Sequence, residues 1–259
     1  MTSTLALVIA VYYGIYASQP FILLMGPSNF GSIIGLVVGV IMHNPAQGVV
    51  YGAWIQLLFL GVVNYGGTKA IDQFSASVIA IPVSIATHLP IPITLVLASI
   101  FGLISFPLDQ SWKKINTEVW SKRIDIAIEN LDFGSIFRCS SVYPMATRFL
   151  FSSTPAFFII YFGSSIMSWF IKHAPHWLIL GITNGGKLLP MLGIATFLFV
   201  IGKPNYLPYF FLGFCSLIFL NLDNTKMYFA SVITCSLVII IAALAERLKS
   251  EVPQNDSNI

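Results

Sequence analysis

Residues 58–82 read LFLGVVNYGGTKAIDQFSASVIAIP, apolar at both ends, with Asn64, Gly66, Gly67, Lys69, Asp72 and Gln73 between. An ionisable group at membrane depth costs roughly 3 kcal/mol or more unless it is paired, so such groups usually mark function. Lys69 and Asp72 stand three residues apart and could pair with each other on a helical turn. The cluster would then be a self-satisfied ion pair, or a break lying at the membrane surface. Its neighbours support a second reading. Gln56 and Asn64 offer amide donors and acceptors, Asp72 can accept from two hydroxyls, and Ser75 and Ser77 add hydroxyls of their own. Gly66 and Gly67 let backbone amides approach a ligand with no Cβ in the way. Trp54 and Tyr65 supply rings of the kind that stack on apolar sugar faces. This set suits a neutral, hydroxyl-rich solute better than an apolar one.

The chemistry is recognition rather than bond breaking. The chain has no phosphate loop, no Gly-x-Ser-x-Gly elbow and no His-Glu-x-x-His, so no catalytic residue, cofactor or metal site is expected. His173 and His176 have the wrong spacing for a helical metal pair and a proline between them, which reads as an interfacial loop. His88 precedes Pro90 and Pro92 and reads as the end of a span. Cys139, Cys215 and Cys235 are odd in number and far apart, which is neither a disulfide framework nor a metal cluster.

The elements that must hold these residues lie in lipid. Apolar residues make up 56% of the 259 and charged ones 9%, against about a quarter charged in a soluble domain. The apolar residues come in blocks, roughly 4–18, 30–42, 48–63, 74–87, 89–108, 149–171, 177–201, 206–221 and 227–245. A simple spanning helix needs about 20. Several blocks are shorter, and Gly35, Gly39, Gly52, Gly61, Pro82, Pro90, Pro92 and Pro190 punctuate them. Broken or re-entrant helices survive in lipid only where protein or a water-filled cavity satisfies the freed backbone, and such breaks point to transporter sites. The expected fold is an all-α integral membrane bundle with short, Gly/Pro-broken or re-entrant helices. The first 20 residues lack a basic n-region and read as a retained helix rather than a cleaved signal peptide.

Residues 109–133 depart from this pattern. Trp112, Val119, Ile126 and Phe133 recur every seven residues with charges opposite, which predicts an amphipathic arm at the interface or a helix packed on its neighbours. Lys113, Lys114, Lys122, Arg123, Arg138 and Arg148 fall in this polar segment, and Arg247 and Lys249 follow the last block. The positive-inside rule puts both regions in the cytoplasm. The domain reading is one polytopic domain over 1–249, with spans at 1–108, an arm at 109–148 and further spans at 149–249. A disordered cytoplasmic tail follows at 250–259. The net charge of +3 does not suggest nucleic acid. NYGGTK at 64–69 is echoed by TNGGK at 183–187, which fits matched breaks in an inverted repeat or a chance likeness.

The ordered motifs resemble the membrane component IIC of the mannose/fructose/sorbose family of the bacterial sugar phosphotransferase system. GSIIGLVVG at 31–39 is similar to the family's glycine-spaced early helix. GAWIQLLFLG at 52–61, followed by Asn64, Gly66, Asp72 and Ser77, follows its central motif. TNG at 183–185 and YLPYFFLGF at 206–214 resemble its second-half signatures. The resemblance implies a permease subunit that carries a hexose or amino sugar across the cytoplasmic membrane. It also implies a IID membrane partner, cytoplasmic IIA and IIB components that carry the phosphoryl group, and an assembly of three IIC–IID pairs moving in an elevator-like manner. Gln56, Asn64, Gly66, Gly67, Lys69, Asp72, Ser77 and Asn184 become the candidate substrate-binding residues. Two departures stand out. Gln56 replaces the family's common Glu, and TKAI at 68–71 is unlike the usual sequence. An ion-coupled secondary transporter using Lys69 and Asp72, and a membrane scaffold using the 109–133 arm, remain the alternatives.

Overall fold

The computed structural model describes residues 2–18, 30–62, 71–202, 210–211 and 213–215. Asn64, Tyr65, Gly66, Gly67 and Lys69 lie outside the described residues, as do Arg247, Lys249, Cys235, the tail at 250–259 and most of 206–214. Among the described residues the chain is helical, with no strand. The helices are α1 (Ser3–Ser18), α2 (Gly31–Ile41), α3 (Pro45–Leu58), α4 (Gln73–Thr87), α5 (Ile91–Ile115), α6 (Lys122–Glu129), α7 (Phe133–Phe137), α8 (Tyr143–His173) and α9 (His176–Ile201). Residues 1–200 form one compact unit and residues 201–259 a second.

Helices α2 and α3 form a tight antiparallel hairpin. At 11 and 14 residues they reach only about 16 and 21 Å, well short of a hydrocarbon core of about 30 Å. The expected short, glycine-rich helices are present here. The turn is closed by His43 in the left-handed region (φ 56°) and by Asn44, whose side chain accepts from the Gln47 amide at 3.3 Å. Pro45 opens α3, where its missing N–H costs nothing. Gly31 and Gly35 face Gly52 and Gly48 so closely that a Cβ on any of the four would drive into the opposite backbone. Gly35→Ala should therefore part the hairpin at a cost of about 1–3 kcal/mol or more. Gly181→Ala in α9, with nothing within 4 Å among the described residues, is the control and should be neutral or slightly stabilising. Monodispersity after heating in detergent reads both; equal behaviour of the two variants would count against this packing.

Helix α4 is the centre of the unit. Every residue from 74 to 85 is buried, as expected of a helix that is apolar all round and surrounded by protein. Ile9, Ile34, Val38, Ile55, Leu95, Ala98 and Ile160 pack around it from five other helices. It ends at His88, which holds the left-handed C-cap (φ 50°), so a helix ends where the sequence placed the end of a span. His173 closes α8 and His176 opens α9, with a two-residue turn between them.

Three helical runs among the described residues are long and apolar enough to cross a membrane: Ile91–Glu129, Phe133–His173 and His176–Val200. The first two show that the polar segment is not a separate helix. Helix α5 continues through a π-helical stretch (Asn116–Ser121) into α6. After a turn at 130–132, α7 and a second π stretch (Arg138–Val142) run into α8. The arm is thus a two-stranded helical hairpin, joined across its width by Trp120 and Tyr143, whose rings stack at 5.1 Å. Its tip is fixed by Asp132, which accepts from the Ser135 hydroxyl at 2.6 Å and from the Gly134 and Ser135 amides; these bonds hold its carboxyl below the usual range. Val119, Ile126 and Phe133 of the seven-residue stripe stay exposed, whereas Trp112 packs under Arg148.

Of the two readings of the echo at 183–187, the matched break is not met. TNGGK at 183–187 does not break a helix; it lies inside continuous α9. Gly186 serves packing instead, its bare Cα resting on the backbone of Pro92. A glycine within a helix costs only about 1 kcal/mol, which close packing offsets.

Candidate functional site

Asp72 occupies the N-cap position of α4 in an extended conformation, so its side chain projects from the start of the buried helix. Its Oδ2 accepts the Ser75 hydroxyl at 2.5 Å, and Ser75 Oγ lies 2.8 Å from the Tyr13 hydroxyl on α1. The rings of Tyr13 and Tyr16 stack on Phe74, which fixes the tyrosines against the first turn of α4. Asp72, Ser75 and Tyr13 line a cavity of about 40 Å³ shared with Ser105, Asp109 and Arg148. That volume takes a water or two, not a sugar ring.

Across the cavity stands a charge cluster. Arg148 Nη2 donates to Asp109 Oδ1 at 2.8 Å, and Lys113 Nζ lies 2.9 Å from Asp109 Oδ2. Arg148 Nε also donates to the Ala17 carbonyl at 2.6 Å, satisfying an orphan acceptor at the C-terminal end of α1. The guanidinium sits 4.3 Å from the centre of the Trp112 ring. One side chain thus joins α1, α5 and α8.

Gln73 faces the other way. Its amide nitrogen and the Cβ of Gln56 flank Gly31 at the start of α2. Gln56 Oε1 accepts from both the amide and the hydroxyl of Ser32, at 3.3 and 3.1 Å. Only the acceptor oxygen is used in these bonds. A carboxylate could supply it equally well. The Gln73 amide nitrogen is buried with no hydrogen-bond partner among the described residues.

The structure therefore gathers Gln56 and the start of α4 at one end of the α2–α3 hairpin, with Asp72 turned toward the cavity. Ser77 is fully buried one turn further along α4, its hydroxyl without a partner among the described residues. It does not line the Asp72 cavity; Ser75 does. Asn184 is exposed in the middle of α9. Asn64, Gly66, Gly67 and Lys69 lie outside the described residues. Tyr13, Asp109 and Arg148 were not in the sequence-derived set. Tyr13 sits in an ordinary apolar block, and Asp109 and Arg148 are 39 residues apart in a segment that reads as a solvated arm. An acid and a base at the two roots of one hairpin were the available signal.

The comparisons agree with this architecture. Residues 2–242 match the family model described as EII-Sor, the sorbose-specific IIC component of the phosphotransferase system. The chain is 28% identical over 179 residues to the sorbose-specific EIIC component of Klebsiella pneumoniae, covering 69% of this chain and 66% of that one. It is 23% identical to N-acetylgalactosamine permease IIC component 1 of Escherichia coli K12 (74% and 71% covered). The mannose-specific EIIC component of the same organism is 24% identical (72% and 70% covered). Two solved structures share the fold, each covering 92% of this chain and 96% of its own. One, described only as a membrane protein, has a TM-score of 0.71 at 20% identity. The other, the mannose transporter ManYZ with microcin E492, has a TM-score of 0.56 at 22% identity. An all-helical membrane unit built round a glycine-packed hairpin and a match over nearly its whole length lead to one conclusion: the chain belongs to the sorbose-type IIC family, the sugar-permease components of the phosphotransferase system.

Proposed function

We propose that this IIC permease binds a hexose or amino sugar at the polar junction between α3 and α4 and carries it across the membrane for phosphorylation by partner components. The observation that carries the reading is Asp72, a carboxylate set at the head of a fully buried helix and held by a hydroxyl chain. Asp72 is the charge-assisted acceptor for sugar hydroxyls, with Asn64, Gly66, Gly67 and Lys69 as its neighbours in sequence and Gln56 as the support of the α2 end. Ser77 and Asn184 take supporting roles at most, the first buried in α4 and the second exposed on α9.

The partners proposed are a IID membrane component, with which the chain forms an assembly of three IIC–IID pairs, and cytoplasmic IIA and IIB components. The solved mannose transporter is named as two components, ManYZ, which supports a paired membrane unit. The test is uptake in a strain lacking its own sugar phosphotransferase permeases, over a panel containing mannose, sorbose and N-acetylgalactosamine. Phosphorylated sugar should accumulate only when phosphoenolpyruvate, the IID component and the IIA/IIB components are all present. Sugar transport by the lone chain in liposomes, driven by a proton gradient without phosphoenolpyruvate, would establish the secondary-transporter reading instead.

A further inference from the structure

We infer that Tyr13 is a positioning residue for sugar recognition, fixing the Asp72 carboxylate through Ser75 and making α1 part of the selectivity device. The inference rests on the reading of Asp72 as a sugar ligand. Ser75 has one hydroxyl hydrogen, and the 2.5 Å bond to the Asp72 carboxylate, which can only accept, uses it. The 2.8 Å contact between Tyr13 and Ser75 must then have Tyr13 as donor. The chain runs Tyr13 O–H to Ser75 Oγ, and Ser75 O–H to Asp72 Oδ2. Each donor polarises the next, so the tyrosine strengthens and orients the bond that holds the carboxylate.

The packing fits this role. Tyr13 lies 62 residues from Ser75 in sequence, on a helix that otherwise buries alanine, glycine and isoleucine. Its ring stacks at 5.9 Å on Phe74, the residue between Gln73 and Ser75, so ring and hydroxyl both address the first turn of α4. Ring stacking survives removal of the hydroxyl, so Tyr13→Phe deletes the donor alone.

The experiment measures sugar uptake and phosphorylation by the complete permease with its partner components, for the parent, Tyr13→Phe, Ser75→Ala, Asp72→Asn and Tyr13→Phe/Asp72→Asn. Tyr13→Phe should raise the half-saturating sugar concentration by about three- to tenfold, the range of one hydrogen bond, with the maximal rate within about twofold. In the Asp72→Asn background the same change should add less than about twofold, because its effect passes through the carboxylate. Should Tyr13→Phe fail to reach the membrane, Ser75→Ala breaks the same chain and is read in the same way. An unchanged half-saturating concentration in both single variants overturns the positioning role, as does full additivity of Tyr13→Phe with Asp72→Asn. If Asp72→Asn itself leaves the sugar dependence unchanged, the site assignment fails and the inference fails with it. The Asp72→Asn arm thus separates the two failures.

Discussion

Replacing Arg148 with Met should lower the thermal stability of the purified protein in its native assembly by about 4–12 °C. The side chain makes three bonds of different kinds. It pairs with Asp109, caps the Ala17 carbonyl and covers the Trp112 ring. Arg148 and Asp109 are only 17% and 14% exposed, so the pair is largely desolvated. Removing one partner of a buried pair costs about 3–5 kcal/mol, because the other charge is left uncompensated. Lys113 remains within 2.9 Å of Asp109, which softens the loss to about 2–3 kcal/mol. At about 2–4 °C per kcal/mol for a unit of this size, the stated shift follows. Arg148→Lys keeps the charge but loses the fork that serves Asp109 and Ala17 together, so it should fall between parent and Met. The double variant Arg148→Met/Asp109→Leu should recover part of the loss, since no unpaired carboxylate remains. Size-exclusion profiles after graded heating supply the measurement. A parental profile for Arg148→Met would mean that the cluster is not what joins α1 to the hairpin roots.

That cluster marks what the sequence could and could not disclose. Lipid as the solvent follows from the composition, and His88 with its trailing prolines announces a helix end through local chemistry alone. Gly35 and Gly52 were legible as punctuation, whereas their partners Gly48 and Gly31 were not. Their use was not legible either, because the same spacing serves a break or a close helix pair, and only the facing backbone decides. Gly186 shows the opposite outcome: the motif that could have been a break lies inside α9, where Gly186 lets the Pro92 backbone approach. Asp72 was legible as an ionisable group in an apolar run. Tyr13 was not, since a tyrosine in an apolar helix usually packs, and its partner is 62 residues away. Arg148 was counted among cytoplasmic charges because it follows a polar segment. Its place is set by helix pairing across the hairpin, which no periodicity encodes.

The sharpest expected effect on function is at Asp72. Asp72→Asn preserves the shape of the side chain and removes the charge, so a charge-assisted bond to a sugar hydroxyl becomes an ordinary one. Such bonds are worth about 1.5–3 kcal/mol against about 0.5–1.5 for neutral ones, so sugar affinity should fall by about tenfold. Asp72→Ala goes further, stripping the Ser75 hydroxyl of its acceptor as well, and should approach a loss of about a hundredfold. Both should leave membrane levels and partner association near those of the parent, because the carboxylate sits at the N-terminal end of α4, not among its buried residues 74–85. A panel of deoxy sugars turns this into an assignment. The parent should discriminate against the analogue lacking the hydroxyl that Asp72 accepts from, and Asp72→Asn should bind that analogue and the full sugar more nearly alike. Lys69→Met supplies the counter-test. If Lys69 only neutralises Asp72, its loss should depress folding or expression while the preferred sugar stays the same; if it touches substrate, the preference should shift. Should Asp72→Asn and Asn64→Ala both bind and transport the whole panel like the parent, the polar junction is structural, and recognition lies elsewhere in the permease.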